Sequence, residues 1–324
     1  MLDWTGERFL PWAKEATVAY EHLHRYLWAA NLVKDKRVLD LASGEGYGSN
    51  ILAAQASFVC GVEIDSEAVH HSAEKYRRPN LQFLQGDITR VPVVEDRSFD
   101  VIVCFEAIEH IEEQEHLLQE VVRLLKPDGL FIVSTPNKKV YRSGPEEPNP
   151  FHVKELTLEE FGALLGGHFS DVRYLGQRVH PGSTLWPIGE SDGQAGVEFA
   201  IARVDAEFRK IPWEQRVAEY FVAVASNGSV KSIAGSVLMD HSDELLQEKD
   251  RDREKLQTQL AQRDEALTWR AGQVDVLERE KKELLDGIES VRRDAAGLRE
   301  ELASIHASRA WRLISRLKRF WKKS

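Results

Sequence analysis

Apolar residues along this chain come in two rhythms, and the change from one to the other falls near residue 245. Before it, short apolar runs read as strands: RVLDLA, FVCGVEI, LQFLQGD, FDVIVCFEAI, GLFIVSTP, FSDVRYLGQ and AEYFVAVASN. Helical patterns such as SEAVHHSAEKY and EQEHLLQEVVRLLK lie between the earlier runs. Strand–helix alternation of this kind predicts an α/β fold with a parallel sheet covered on both faces. The last two runs lack that spacing and are separated by GSTLWPIGESDGQAG, within residues 181–196. They are expected to pair as an antiparallel hairpin at one sheet edge, with the insert serving as a lid or substrate loop.

Beyond residue 245 the sequence is long, charged and almost free of proline, and apolar residues recur on a heptad. Leu246, Leu260, Leu267, Val274, Ile288 and Leu302 form one series; Leu256, Leu277, Leu284, Val291, Leu298 and Ile305 form the other. This spacing predicts a coiled coil, firmest over 284–305, against the alternative of a single solvated helix. Lys249, Arg253, Arg263, Arg270 and Lys281 interrupt the first half of the seam. At about 1.5 Å per residue the rod would extend roughly 90 Å.

From Arg309 onward the chain carries seven basic residues and no acidic one. Trp311, Leu313, Ile314, Leu317, Phe320 and Trp321 follow helical spacing, which gives a basic amphipathic helix. Its aromatic face suits the interface of an anionic membrane; a nucleic-acid arm and a docking helix for a partner protein remain the other readings. The boundaries expected are a domain over 1–230, a linker over 231–245, a coiled coil over 246–306 and the tail helix over 307–324.

Composition narrows this little further. The formal net charge of −10 argues against nucleic-acid binding over the whole surface. The two cysteines, Cys60 and Cys104, lie in apolar runs and read as buried thiols of a reducing compartment. No Cys/His spacing resembles a zinc site and no magnesium cluster is evident, so no metal is expected. The first residues lack the continuous apolar core of a signal peptide, and no run of about 18 apolar residues is present. A cytoplasmic chain, peripheral on the inner face of the membrane, is the expectation.

The candidate chemistry begins at LDLASGEGYGSN, where a strand runs into Gly44, Gly46 and Gly48 and then a helix. Such glycines let backbone and ligand approach closely. Alone they fit a nicotinamide cofactor equally well. Glu63 ends the second strand, 19 residues after Gly44, where an acid can take both hydroxyls of a ribose. Asp87, in GDI after the third strand, could accept from an adenine amino group. The order E-x-G-x-G also departs from the dinucleotide pattern.

With these residues in view, 37–137 resembles the class I S-adenosylmethionine-dependent methyltransferases. DLASGEGYG looks like their first motif, GVEID the second, GDI the third, FDVIVCFEAIEHI the fourth-strand motif and LLKPDGLFIVSTPN the fifth. Ser43 stands where the first motif usually has Cys or Gly. The resemblance implies a Rossmann-like seven-stranded sheet and S-adenosylmethionine as cofactor. Asp40, Ala42, Gly44, Gly46 and Tyr47 would then hold its methionine portion, Glu63 its ribose, and Ile64, Asp87 and Ile88 its adenine. Phe105 and Glu106 would line the sulfonium. Ordinary strand-end turn chemistry is the other reading of Asp40 and Asp87. A narrower similarity covers TGERFLP and EHLHRYLWA, which look like methyltransferases found with bacterial cell-surface polysaccharide enzymes; it implies that Arg25 meets the cofactor carboxylate, a surface arginine of a helix being its other reading.

A hydroxyl acceptor needs a base. Glu109 and His110, in EAIEHI, and His152, in NPFHVKEL, are the candidates, with structural hydrogen bonding as the other reading for each histidine. His70 and His71 read as surface residues of a helix. The whole arrangement resembles O-antigen chain-terminating methyltransferases, which implies a polysaccharide or lipid-linked glycan substrate, a homo-oligomer and a glycosyltransferase partner. No kinase fits between domain and rod, which favours a sugar hydroxyl, or a phosphate installed by another protein. A lipid or metabolite methyltransferase and a non-catalytic scaffold are the alternatives.

Overall fold

The computed structural model describes residues 9–11, 16–91, 95–141, 149, 151–183, 200–204 and 207–321. The insert read as a lid lies largely outside them, as does the TGER of the N-terminal motif.

Helix α1 (Ala16–Ala30) precedes a regular alternation: β1 (Arg37–Leu41), α2 (Tyr47–Ala53), β2 (Phe58–Glu63), α3 (Ser66–Lys75), β3 (Leu81–Gln85), β4 (Phe99–Cys104), α4 (Gln114–Leu124), β5 (Leu125–Pro136), α5 (Leu158–Gly166) and β6 (Asp171–Gln177). Strands β7 (Ile201–Val204) and β8 (Glu207–Lys210) form a separate ribbon before β9 (Tyr220–Ser226). The main sheet has seven strands in the order β3-β2-β1-β4-β5-β9-β6. The first five are parallel, and β9 runs antiparallel between β5 and β6. All seven strand-like runs are therefore strands, and the last two form the expected antiparallel edge. The β7–β8 ribbon is not among the runs read as strands.

Both faces of the sheet are covered, so the strand pleat sends alternate residues into two cores. Leu39, Ile102, Phe131 and Ala223 face α4 and α5, whereas Val38, Val101, Ile132 and Val224 face α1 and α2. Cys60 and Cys104 are buried free thiols in the first core. Helix α4 buries Leu117, Leu118, Val121 and Leu124, the one-sided stripe its spacing requires. Helix α1 differs, because Glu21 and Arg25 are buried on the same face as Tyr26 and Ala29.

Residues 231–240 are not a loose tether. Trp28 Nε1 donates to the Ala234 carbonyl (2.9 Å), His24 Nε2 meets Ser236 Oγ (2.8 Å), and Tyr20 bonds Asp240, strapping the segment along α1. The contacts divide the chain into units 1–248 and 249–324. Helix α6 (Glu244–Ala307) is 64 residues long, and the heptad apolar residues from Leu256 to Ile305 are all exposed along it. Ser308 then ends it, its Oγ accepting from Trp311 N (3.2 Å) as the N-cap of α7 (Arg309–Trp321). Among the described residues, no helix is long and apolar enough to cross a membrane.

Gly48 is the tightest contact between α1 and α2. A Cβ there would lie 2.1–2.4 Å from the Tyr26 ring, whereas one on Gly166 would meet nothing within 4 Å. Gly48→Ala is expected to lower stability by about 1–3 kcal/mol in urea titrations, and Gly166→Ala to change it by less than about 0.5 kcal/mol.

Candidate active site

In an open parallel sheet, ligands bind beyond the carboxyl ends of the strands where the strand order reverses. Here that point lies between β1 and β4. The backbone is left-handed on both sides of it, at Ala42 (φ 57°) after β1 and Glu106 (φ 50°) after β4. Non-glycine residues held there store on the order of 1–3 kcal/mol of strain. Gly44 (φ 55°) and Gly46 (φ 92°) complete the loop without that cost.

The loop is fixed from two directions. Glu63, buried at the end of β2, accepts from Gly44 N (2.9 Å) through Oε2 and from Asp65 N (3.2 Å) through Oε1. Glu45 is fully buried and accepts from Lys75 Nζ and Tyr76 Oη and pairs with His71 Nε2, each at 2.7 Å. His71 is thus a half-buried anchor rather than the surface residue its helix position suggested, while His70 is exposed. Glu45 was not singled out, because an acid inside a glycine loop reads as solvent-facing.

The remaining cofactor candidates divide. Ile64 is 67% exposed immediately beyond β2, an apolar side chain presented at the strand end. Asp87 is exposed and closes its own turn, Oδ1 accepting from Thr89 N (2.8 Å) and Oγ1 (2.7 Å). Ile88 is buried in the core under α4. Tyr47 and Phe105 pack on Tyr26 in the other core, with ring centroids 5.4 and 5.0 Å away. Asp40 is fully buried, with Ser49 Oγ donating to Oδ2 (2.6 Å) and Tyr26 Oη to Oδ1 (3.1 Å). It bridges α1 and α2 from inside. Burial pushes its carboxyl up to about 7 against those two bonds.

Arg25 is buried (3% exposed), not a surface residue of its helix. Nη1 donates to Gln177 Oε1 (2.7 Å) and lies 3.6 Å from Glu106 Oε1, and the guanidinium sits 5.0 Å over the Tyr220 ring. Nε and Nη2 have no hydrogen-bond partner among the described residues. Those two nitrogens form one edge of the fork, the edge that takes a carboxylate in bidentate fashion. A methionine-type carboxylate offers the two acceptor oxygens that suit these donors. Ser134, at the end of β5, donates to Glu106 Oε1 (2.6 Å) and so holds the acid toward Arg25.

A second cluster joins residues far apart in sequence. The Glu109 carbonyl accepts from Val153 N (2.9 Å) and Lys154 N (3.0 Å), stapling the segment after β5 onto the turn after β4. His110 Nδ1 bonds the Phe151 carbonyl (2.9 Å), His152 Nδ1 bonds Glu155 Oε1 (2.6 Å), and the two imidazoles meet edge to face at 5.0 Å. Tyr141 stacks on His152. The Glu109 carboxyl is fully buried; Oε2 accepts from Thr135 Oγ1 (3.3 Å), while Oε1 has no partner among the described residues. Burial first, and Glu106 second, hold this carboxyl well above the usual carboxylate range. The three base candidates therefore share one place. Gln177, Tyr220, Ser134 and Thr135 escaped notice, since strand-end polar residues carry no local signal of the helix they will face.

Residues 39–133 match the methyltransferase domain family. A "probable S-adenosylmethionine-dependent methyltransferase" of Mycolicibacterium smegmatis is 32% identical over 237 residues, covering 70% of this chain and 86% of that protein. One of the same description from Mycobacterium tuberculosis is 32% identical over 235 residues, covering 70% and 81%. A ubiquinone biosynthesis O-methyltransferase of Rickettsia conorii is 31% identical over 120 residues, covering 36% and 40%. Among solved structures, an S-adenosylmethionine-dependent methyltransferase of Thermotoga maritima aligns with a TM-score of 0.46 at 17% identity, covering 64% of this chain and 90% of that one.

The buried acids make stability depend on pH in a stated direction. Burial raises the Glu21 carboxyl from 4.5 to about 7, outweighing the bond from Tyr220 Oη (2.9 Å) and the charge of Arg25. The folded state therefore holds a proton that the unfolded state releases above about 4.5. Stability is complete below that value and is lost as the pH rises through 7. Glu21→Gln is expected to flatten the fall in melting temperature between pH 5.5 and 8, by the equivalent of roughly 2 kcal/mol; an unchanged pH profile would contradict the assignment.

Proposed function

The chain belongs to the class I S-adenosylmethionine-dependent methyltransferases, and we propose that its acceptor is a hydroxyl or phosphate at the end of a cell-surface polysaccharide of O-antigen type. It is an enzyme whose cofactor is S-adenosylmethionine. When bound, that cofactor supplies a methyl group on a sulfonium, which departs as a neutral thioether.

The chain's own residues divide the remaining work. Arg25 would hold the methionine carboxylate through Nε and Nη2, the glycine loop would lie along the same portion, and Glu63 would take the ribose hydroxyls. Ile64 would cover the adenine. A nucleophile must be held within about 3–3.5 Å of the methyl carbon. The proton of an acceptor hydroxyl must leave as the methyl arrives, and the Glu109–His110–His152 cluster is the group of side chains equipped to receive it. Each imidazole donates through Nδ1, which places its lone pair on Nε2.

The observation that carries the substrate reading is the 64-residue helix α6 with its exposed apolar heptads, followed by the separately capped basic α7. A small diffusing acceptor reaches an open crevice unaided and needs no spacer about 95 Å long. A polymer growing on a membrane does. Pairing of the heptad seams between copies would stiffen the rod, and α7 would lie on an anionic membrane. In this arrangement the rod sets the distance between membrane and crevice, and a polymerising glycosyltransferase is the partner within reach. The second reading, a lipid-borne hydroxyl, is supported by the same tail helix and by similarity to the ubiquinone O-methyltransferase.

Labelled S-adenosylmethionine incubated with polysaccharide from a strain lacking this gene is expected to pass label into the glycan fraction. Glu63→Ala should abolish the transfer. Label found instead in the lipid fraction, with cofactor binding intact, would overturn the polysaccharide reading. Removing 309–324 is expected to abolish co-sedimentation with anionic vesicles while leaving transfer to detached glycan unchanged.

A further inference from the structure

We propose that Glu109, His110 and His152 bind one divalent transition-metal ion at the acceptor end of the crevice. Each residue offers one ligand atom, and the three atoms lie within 4.8 Å of one another. Although 42 positions separate His110 from His152, the staple at the Glu109 carbonyl closes that gap. The inference rests on the methyltransferase reading and refines the part this cluster plays in it.

The supporting groups are those a metal site requires. Histidine ligands commonly donate their other ring N–H to a carbonyl or carboxylate, which fixes the tautomer and turns the lone pair to the metal. His110 does so to the Phe151 carbonyl and His152 to Glu155. Tyr141 stacks on His152 and restrains its ring. Glu109 supplies the independent indication, because it is fully buried and Oε1 has no hydrogen-bond partner among the described residues. A buried carboxylate oxygen without a donor is costly unless a cation stands in its place. Closing the three atoms by roughly an ångström brings them onto one ion at about 2.1 Å each.

The donor set selects the ion. Two imidazoles and one carboxylate suit zinc, manganese, cobalt or iron(II), and disfavour magnesium and calcium, which prefer oxygen ligands. Three protein ligands leave positions open for an acceptor hydroxyl. An oxygen bound there ionises more readily; with the imidazole lone pairs on the ion, this role replaces proton acceptance by the cluster, and the proton passes to solvent. As the methyl transfers, the carbon–sulfur bond breaks and the carbon–oxygen bond forms. The sulfonium becomes a neutral thioether, and no oxidant or reductant is needed.

The test is titration of cobalt(II) into the chelator-treated full-length protein, followed by its visible d–d absorption and by elemental analysis after desalting. One equivalent is expected to bind. His152→Ala and Glu109→Gln should weaken binding at least tenfold. Glu155→Gln, which leaves all three ligands in place, should weaken it by about tenfold through the orientation of His152. This last variant alters a residue at the rim and keeps the test decisive if the ligand variants fail to fold. S-adenosylmethionine affinity, measured on the same samples, separates the two claims. Less than a stoichiometric equivalent on the wild-type protein, or equal binding by the Glu155 variant, overturns the metal site while intact cofactor binding leaves the methyltransferase reading standing. One bound cobalt without cofactor affinity would do the reverse.

Discussion

A guanidinium withdrawn from water has to be met by negative charge or hydrogen-bond acceptors, and Arg25 imposes that requirement on the centre of this molecule. Gln177 from β6, Tyr220 from β9 and Glu106 from the turn after β4 all converge on it. Gln177 also returns to α1 through its donation to the Glu21 carbonyl (2.9 Å), and Tyr220 does so through the Glu21 carboxyl. The helix before the sheet and the antiparallel edge after it are thereby held together over the switch point. Two donors of the guanidinium have no partner among the described residues, at a cost on the order of 1–3 kcal/mol each. A carboxylate arriving there recovers that cost, so the site is arranged before the cofactor enters.

The same low-polarity surroundings explain why the acids behave unlike surface acids. Asp40 and Glu21 are pushed up to about 7 by burial, and burial and then Glu106 hold the Glu109 carboxyl well above the usual carboxylate range. Asp40 gives its hydrogen bonds a structural purpose, tying α1 to α2. Glu109 keeps an oxygen without a partner among the described residues, beside two imidazoles, a costly arrangement for a folded core without a ligand. Backbone strain falls in the same region, at Ala42 and Glu106, one on each side of the crevice.

The parts legible in the sequence were those encoded locally. Strand runs, the glycine loop, the Glu63 position and the heptads each depend on residues a few positions apart, and these produced the right sheet and the long helix. What escaped was encoded by distance. Arg25 was expected at the cofactor carboxylate through the resemblance alone, and its burial was not legible because its partners Glu106, Gln177 and Tyr220 lie more than 80 positions away. Asp40 and Tyr47 sit in a motif associated with ligand binding, yet α1 folds over them and takes both into the interior. His71 read as solvent-facing until the Glu45 carboxylate came down on it. Glu109, His110 and His152 were candidates from separate segments, and how closely they group was not legible, since His152 reaches its partners through the staple at the Glu109 carbonyl. The segment 231–240 was expected within a linker, and nothing local in KSIAGSVLMD reveals that Trp28, His24 and Tyr20 of α1 each bind it.

The most direct measurement is calorimetric titration of the protein with S-adenosylmethionine and, separately, with 5′-methylthioadenosine, which lacks the amino-acid portion. The account predicts that wild-type protein prefers S-adenosylmethionine, and that Arg25→Gln removes this preference while binding methylthioadenosine as before. Unchanged S-adenosylmethionine affinity in Arg25→Gln, with the protein still folded, would contradict the placement of the cofactor and the role given to the buried guanidinium.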